Sequence, residues 1–80
     1  MDDFPQDPET EIKSLLRKFG VPAGLPIFET DKLEGLGLNV IARIQLIEQL
    51  EKTFQCTITA GEERQIKTVG DVIRIIKSKL

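Results

Sequence analysis

Apolar residues recur at helical spacing in three stretches of this chain, separated by segments rich in proline, glycine or small polar residues. In the first stretch Ile12, Leu15, Leu16 and Phe19 define one stripe. Asp7-Pro8-Glu9 supplies its start: Asp7 can cap free N–H groups, Pro8 sits where a missing donor costs nothing, and Glu9 faces the positive helix end. Gly20 closes this helix, with Arg17 and Lys18 suiting its negative end. Asn39 is a good N-cap for a second helix to about Phe54, with Ile44, Ile47, Leu50 and Phe54 as its stripe and Leu46 widening it. Thr68-Val69-Gly70-Asp71 resembles a capping box with Asp at the position usual for Glu or Gln. The helix behind it presents Val69, Val72, Ile73, Ile75, Ile76 and Leu80.

Between these lie two less regular segments. Thr57 to Arg64 is expected to hold a short helix anchored by Ile58. Val21 to Leu38 contains Pro22, Gly24, Pro26, Gly35 and Gly37, which rule against a continuous helix. A structureless loop of that length is unusual in a small domain. A short turn around Asp31 to Glu34 is therefore expected, tucking Ile27, Phe28, Leu33 and Leu36 onto the core. No alternating strand pattern is present. The predicted fold is all-α, a four-helix bundle of three main helices and one short one. Residues 1–6 read as a flexible leader and 7–80 as a single domain.

Composition narrows the function more than it identifies it. Eighty residues with 40% hydrophobic content suit one folded domain. A net charge of −2 gives no basic footprint for nucleic acid. The chain has no His and one Cys, Cys56, so imidazole catalysis, His-ligated metals, multi-cysteine zinc sites and an intrachain disulfide are excluded. Cys56 reads as a structural or semi-exposed thiol. Adjacent Glu62 and Glu63 read as solvated charges, not a catalytic pair. Lys67, Arg74, Lys77 and Lys79 are accounted for by complementarity to a helix C-terminus. Gly35 and Gly37 are not a phosphate loop, because no Gly-Lys-Ser/Thr follows. No apolar run approaches about 18 residues and no signal-peptide pattern is seen, so a cytoplasmic protein without membrane contact is expected; a monomer is the expected state.

Four segments together carry a resemblance to the acyl carrier protein family. Asp31-Lys32-Leu33-Glu34-Gly35-Leu36-Gly37 resembles its lead-in loop, and Ile44 to Phe54, ending Leu-Glu-x-x-Phe, resembles its recognition helix. Ile58 falls where the family places an isoleucine before a short third helix. Ile66-Lys67-Thr68-Val69-Gly70-Asp71-Val72-Ile73 is similar to Ile-x-Thr-Val-x-Asp-Leu-Ile. The resemblance implies an acyl-carrier-like four-helix fold with an apolar interior between helices two and three. It implies no catalytic residue and no metal. Its implied cofactor is 4'-phosphopantetheine, attached by a phosphopantetheinyl transferase to a serine at the start of helix two. Acyl- or polyketide-processing enzymes are the implied partners.

The attachment position is Val40, which has no hydroxyl, so the chain cannot be phosphopantetheinylated as written. Asn39 stands where the family usually has Asp, and Ile41 where it has Leu. Three accounts of Val40 stay open: a plain core residue, a natural loss of serine leaving a non-covalent adaptor, or replacement of a native serine. Ser14 and Ser78 lie in the first and last helices and cannot stand in. Asn39, Ile41, Arg43 and Ile44 are the expected partner-binding rim around position 40. Helix two is also less acidic than the fatty-acid pattern, with Arg43 and Lys52 offsetting Glu48 and Glu51. That balance implies weak electrostatic steering, and two readings of it stay open: a partner from polyketide or other specialised biosynthesis in place of general fatty acid biosynthesis, or an ordinary solvated helix face. Glu48 takes the place of an apolar docking contact.

Overall fold

The computed structural model describes residues 7–80; the expected leader lies outside them. Its elements are α1 (Pro8–Lys18), a single 3₁₀ turn (Glu34–Leu36), α2 (Val40–Phe54), α3 (Ala60–Gln65) and α4 (Val69–Ser78). Among the described residues there is no strand; Lys32 and Thr68 form one isolated antiparallel bridge. The all-helical, four-helix arrangement is the one anticipated.

Each helix begins on a side-chain cap. Asp7 accepts from the Glu9 N–H, Asn39 from Ala42, Thr59 from Glu62 and Thr68 from Asp71. At α3 and α4 the cap is reciprocal, with Glu62 and Asp71 accepting the N–H of Thr59 and Thr68. These are capping boxes, and each satisfies helix-end donors that would otherwise have no partner. Asp71 closes the box in place of the usual Glu, and it also accepts the Lys67 N–H at 3.0 Å.

The core is aliphatic. Ile12 and Leu16 of α1, Leu46 and Leu50 of α2, and Val69 and Ile76 of α4 are fully buried, and α1 packs against both α2 and α4. Ile58 and Ile66 close the α3 side. Val21, Ile27, Leu33, Leu36 and Leu38 bring the long connection onto the same core.

Three apolar residues depart from their expected burial. Phe28 is 59% exposed, because its backbone is committed to a tight turn in which its N–H donates to Asp31 Oδ2 at 2.8 Å. Ile27 is the residue that turns inward. Leu80 is 68% exposed, since α4 ends at Ser78 and carries it past the last packed turn. Ile44 is 47% exposed. At roughly 100° per residue, Leu46, Ile47, Leu50 and Phe54 share one arc of α2 and Ile44 falls outside it. The expected turn around Asp31 to Glu34 is also displaced: the 3₁₀ turn is centred on Gly35 and ends at Gly37, whose φ of +93° suits only glycine without strain.

The connection is fixed to the start of α4 by its backbone. Leu33 N–H donates to the Lys67 carbonyl at 3.0 Å, while Val69 and Gly70 N–H donate to the carbonyls of Asp31 and Glu29 at 2.9 and 2.8 Å. The last two are unpaired helix-end donors, so loop carbonyls complete what the capping box leaves open. A Cβ at Gly70 would lie 3.1 Å from the Glu29 carbonyl oxygen, so this close approach depends on glycine. At the other end of the connection, Arg17 Nη1 lies 3.0 Å from the carbonyls of Pro22, Ala23 and Leu25. Arg17 therefore organises the chain leaving α1 in addition to complementing the helix dipole.

Candidate functional site

Val40 is the first residue of α2 and is 73% exposed. The account of Val40 as a plain core residue is thereby overturned: it precedes the first buried turn of the helix, and Leu46 and Ile47 are the first fully packed side chains behind it. Asn39 sets up the terminus. Its backbone is extended, and its Oδ1 accepts the Ala42 N–H at 2.8 Å. Such an end presents remaining N–H groups and the positive pole of the helix to solvent, a setting suited to a phosphate ester.

Ile41 is 68% exposed, and with Val40 and Ile44 it makes an apolar surface at the start of α2. A cavity of about 360 Å³ runs beside it between α2 and α3, lined by Val40, Arg43, Ile44, Ala60, Glu63 and Arg64. The surface between helices two and three is thus an open groove with three charged side chains in its wall, while Leu46, Ile47, Ile58 and Ile66 belong to the buried aliphatic core. Of the five anticipated residues, Val40, Arg43 and Ile44 line this groove, whereas Asn39 acts as the cap and Ile41 is not among its lining residues.

Arg43 does more than border the site. It is half-buried, and its Nη2 donates to the Glu63 carbonyl at 2.7 Å, bracing α2 against α3. The pairing joins residues twenty apart, which sequence periodicity does not reveal. Ala60, Glu63 and Arg64 were missed for the same reason: only the docking of α3 brings them to Val40.

Glu62 is not simply solvated. It accepts the Thr59 N–H and pairs with Lys79 Nζ at 2.9 Å, and these contacts hold its carboxyl below the usual range, the Thr59 bond contributing most. Cys56 packs partly against the core, and burial pushes its thiol up, the opposite of an activated nucleophile. Among the described residues no group of acidic or cysteine side chains could hold a metal ion, and no helix is long and apolar enough to cross a membrane.

A capped, exposed helix start, reached through a 3₁₀ turn closed by Gly37 and followed by the short α3 and then α4, is the arrangement of a carrier-type domain. Residues 11–76 match the family described as "Phosphopantetheine attachment site". The chain is 32% identical over 72 residues to an acyl carrier protein of Chlamydia caviae, covering 89% of this chain and 94% of that protein. It is 31% identical over 64 residues to an acyl carrier protein of Onion yellows phytoplasma, covering 79% and 84% respectively. The chain belongs to the acyl carrier protein family. Members of that family carry 4'-phosphopantetheine when modified. Here the helix terminus fits a phosphate ester but the side chain does not: Val40 offers two methyl groups and no oxygen to esterify.

Proposed function

We propose that this protein keeps the docking end of a carrier without its covalent cargo, engaging acyl- or polyketide-processing enzymes through Asn39, Val40, Ile41, Arg43 and Ile44. The observation that supports this reading is Val40, an exposed valine at the first position of a capped helix. Exposed apolar side chains clustered at one helix end are typical of surfaces that meet a partner. A specific observation favours a second reading. The Asn39 cap is intact, so a form with serine at position 40 would be an acyl carrier presenting acyl or polyketide-type intermediates after action of a phosphopantetheinyl transferase.

In both readings the chain is not an enzyme. It has no histidine, and Cys56 has a raised pKa, so a nucleophile with its base is lacking. It works as a cytoplasmic monomer. Incubation with a promiscuous phosphopantetheinyl transferase and coenzyme A, followed by intact-mass measurement, tests the assignment of position 40. The expected result is no mass gain for this chain and one phosphopantetheine for Val40→Ser. A gain by the unaltered chain would overturn the loss of covalent cargo. An unmodified serine variant would remove the carrier reading and leave the adaptor.

A further inference from the structure

Four of the eleven Lys and Arg side chains line a single cavity of about 260 Å³: Lys32, Arg43, Arg64 and Lys67. Glu34 and Ile66 complete its wall. The cations come from four separate places: the lead-in loop, α2, α3 and the link before α4. Two are brought together by backbone pairing, since Lys32 bridges Thr68 and Leu33 donates to the Lys67 carbonyl. Arg43 is fixed by its bond to the Glu63 carbonyl. The ion pairs among the described residues are Arg74–Asp71 and Lys79–Glu62, so neither engages these four cations.

Gathering like charges in one place is unfavourable unless an opposite charge arrives. The chain carries a net charge of −2, so this positive concavity is not a by-product of composition. Four cations against one Glu34 suit a ligand with two or more negative charges, and Arg and Lys together suit phosphate oxygens. Arg43 and Arg64 also line the groove that starts at Val40 and passes Ile44, Ala60 and Glu63, so the cationic cavity and this groove lie side by side and share two side chains.

We propose that these adjoining cavities bind a small, soluble, phosphate-headed amphiphile without a covalent bond. Its monoester or diphosphate head lies among Lys32, Arg43, Arg64 and Lys67, and its less polar tail along Val40, Ile44 and Ala60. The head site stands on the cation cluster alone; the tail site rests also on the reading of the Val40 end as a non-covalent docking surface. A concavity of this size favours a compact anion over the flat acidic face of a protein.

The test is titration of the full chain, followed by amide NMR shifts, with coenzyme A, inorganic phosphate, phosphate-free pantetheine and phosphatidylglycerol vesicles. Coenzyme A is expected to saturate and to move amides of residues 32–34, 43 and 60–67, and inorganic phosphate to bind more weakly at the same cations. Pantetheine is expected to leave them in place. Arg64→Gln and Lys67→Gln should each weaken coenzyme A binding by about tenfold, the loss expected for one charge-assisted hydrogen bond. Both side chains are exposed, so folding is retained, and Lys77→Gln outside the cavity should leave affinity unchanged. Absence of saturable binding by both soluble anions, unchanged affinity in the Arg64/Lys67 double variant, or binding to vesicles in place of coenzyme A would overturn the proposal. Coenzyme A binding no tighter than phosphate would overturn the tail placement. A phosphopantetheine mass gain by the unaltered chain would overturn the non-covalent docking reading and leave the phosphate result standing, so the two readings fail separately.

Discussion

Asn39 and Val40 are adjacent, yet they make opposite demands on the fold. Asn39 satisfies a donor of the first turn of α2, so Asn39→Ala should cost about 1 kcal/mol. For a domain of this size that corresponds to a fall in Tm of about 4–8 °C per kcal/mol, read by thermal circular dichroism. Val40 is mostly exposed, and Val40→Ser should change stability by no more than about 0.5 kcal/mol. The same melting experiment checks this, and a large loss would mean that the valine is packed after all. The position is therefore free to change chemistry without cost to the fold. Arg43 is constrained where Val40 is not: its guanidinium serves the α2–α3 contact as well as the cavity walls.

At the scale of elements, the capping boxes tie helix starts to solution pH. The Lys67 and Thr68 N–H groups donate to Asp71, with Arg74 beside it, and hold its carboxyl below the usual range. A carboxylate with a depressed folded-state pKa stabilises fully above its unfolded value, ordinarily about 3.9. That contribution is lost as pH falls through the lower folded-state value. Asp71→Asn should accordingly lower stability at neutral pH and flatten the decline between about pH 4 and lower values, as seen in urea denaturation at a series of pH values. A decline as steep as that of the parent chain would assign the acid sensitivity elsewhere. Glu62 shifts in the same direction and acts at α3, where its pairing with Lys79 also joins the short helix to the end of α4.

The whole molecule rests on α1, which packs against both α2 and α4. Leu46 is fully buried in α2, so Leu46→Ala should cost about 2–5 kcal/mol. Ile44→Ala on the same helix should cost well under half as much, because its side chain is half exposed and leaves no closed cavity. Comparable losses from chemical denaturation of the two variants would contradict the packing described. Partner engagement should respond in the reverse order, since Ile44 lines the groove and Leu46 does not.

The local content of the chain was open to reading from its residues. Capping residues at 7, 39 and 68, the closing glycine at 20 and the helical spacing of aliphatic residues depend on near neighbours, and the acyl carrier resemblance followed their order. The exposure of Phe28 and Leu80 was not legible, because it depends on the turn at Asp31 and on where α4 ends, whereas the exposure of Ile44 follows from its angular position on α2. Nor was the burial of Val21 and Leu38, which the folding of the long connection decides. The sequence alone determined the four helices and the missing hydroxyl at position 40, both local properties of covalent structure and hydrogen bonding. Only tertiary structure decided that Val40 faces solvent and that Lys32, Arg43, Arg64 and Lys67 surround one cavity, because contacts between distant residues form only when the helices and loops pack together.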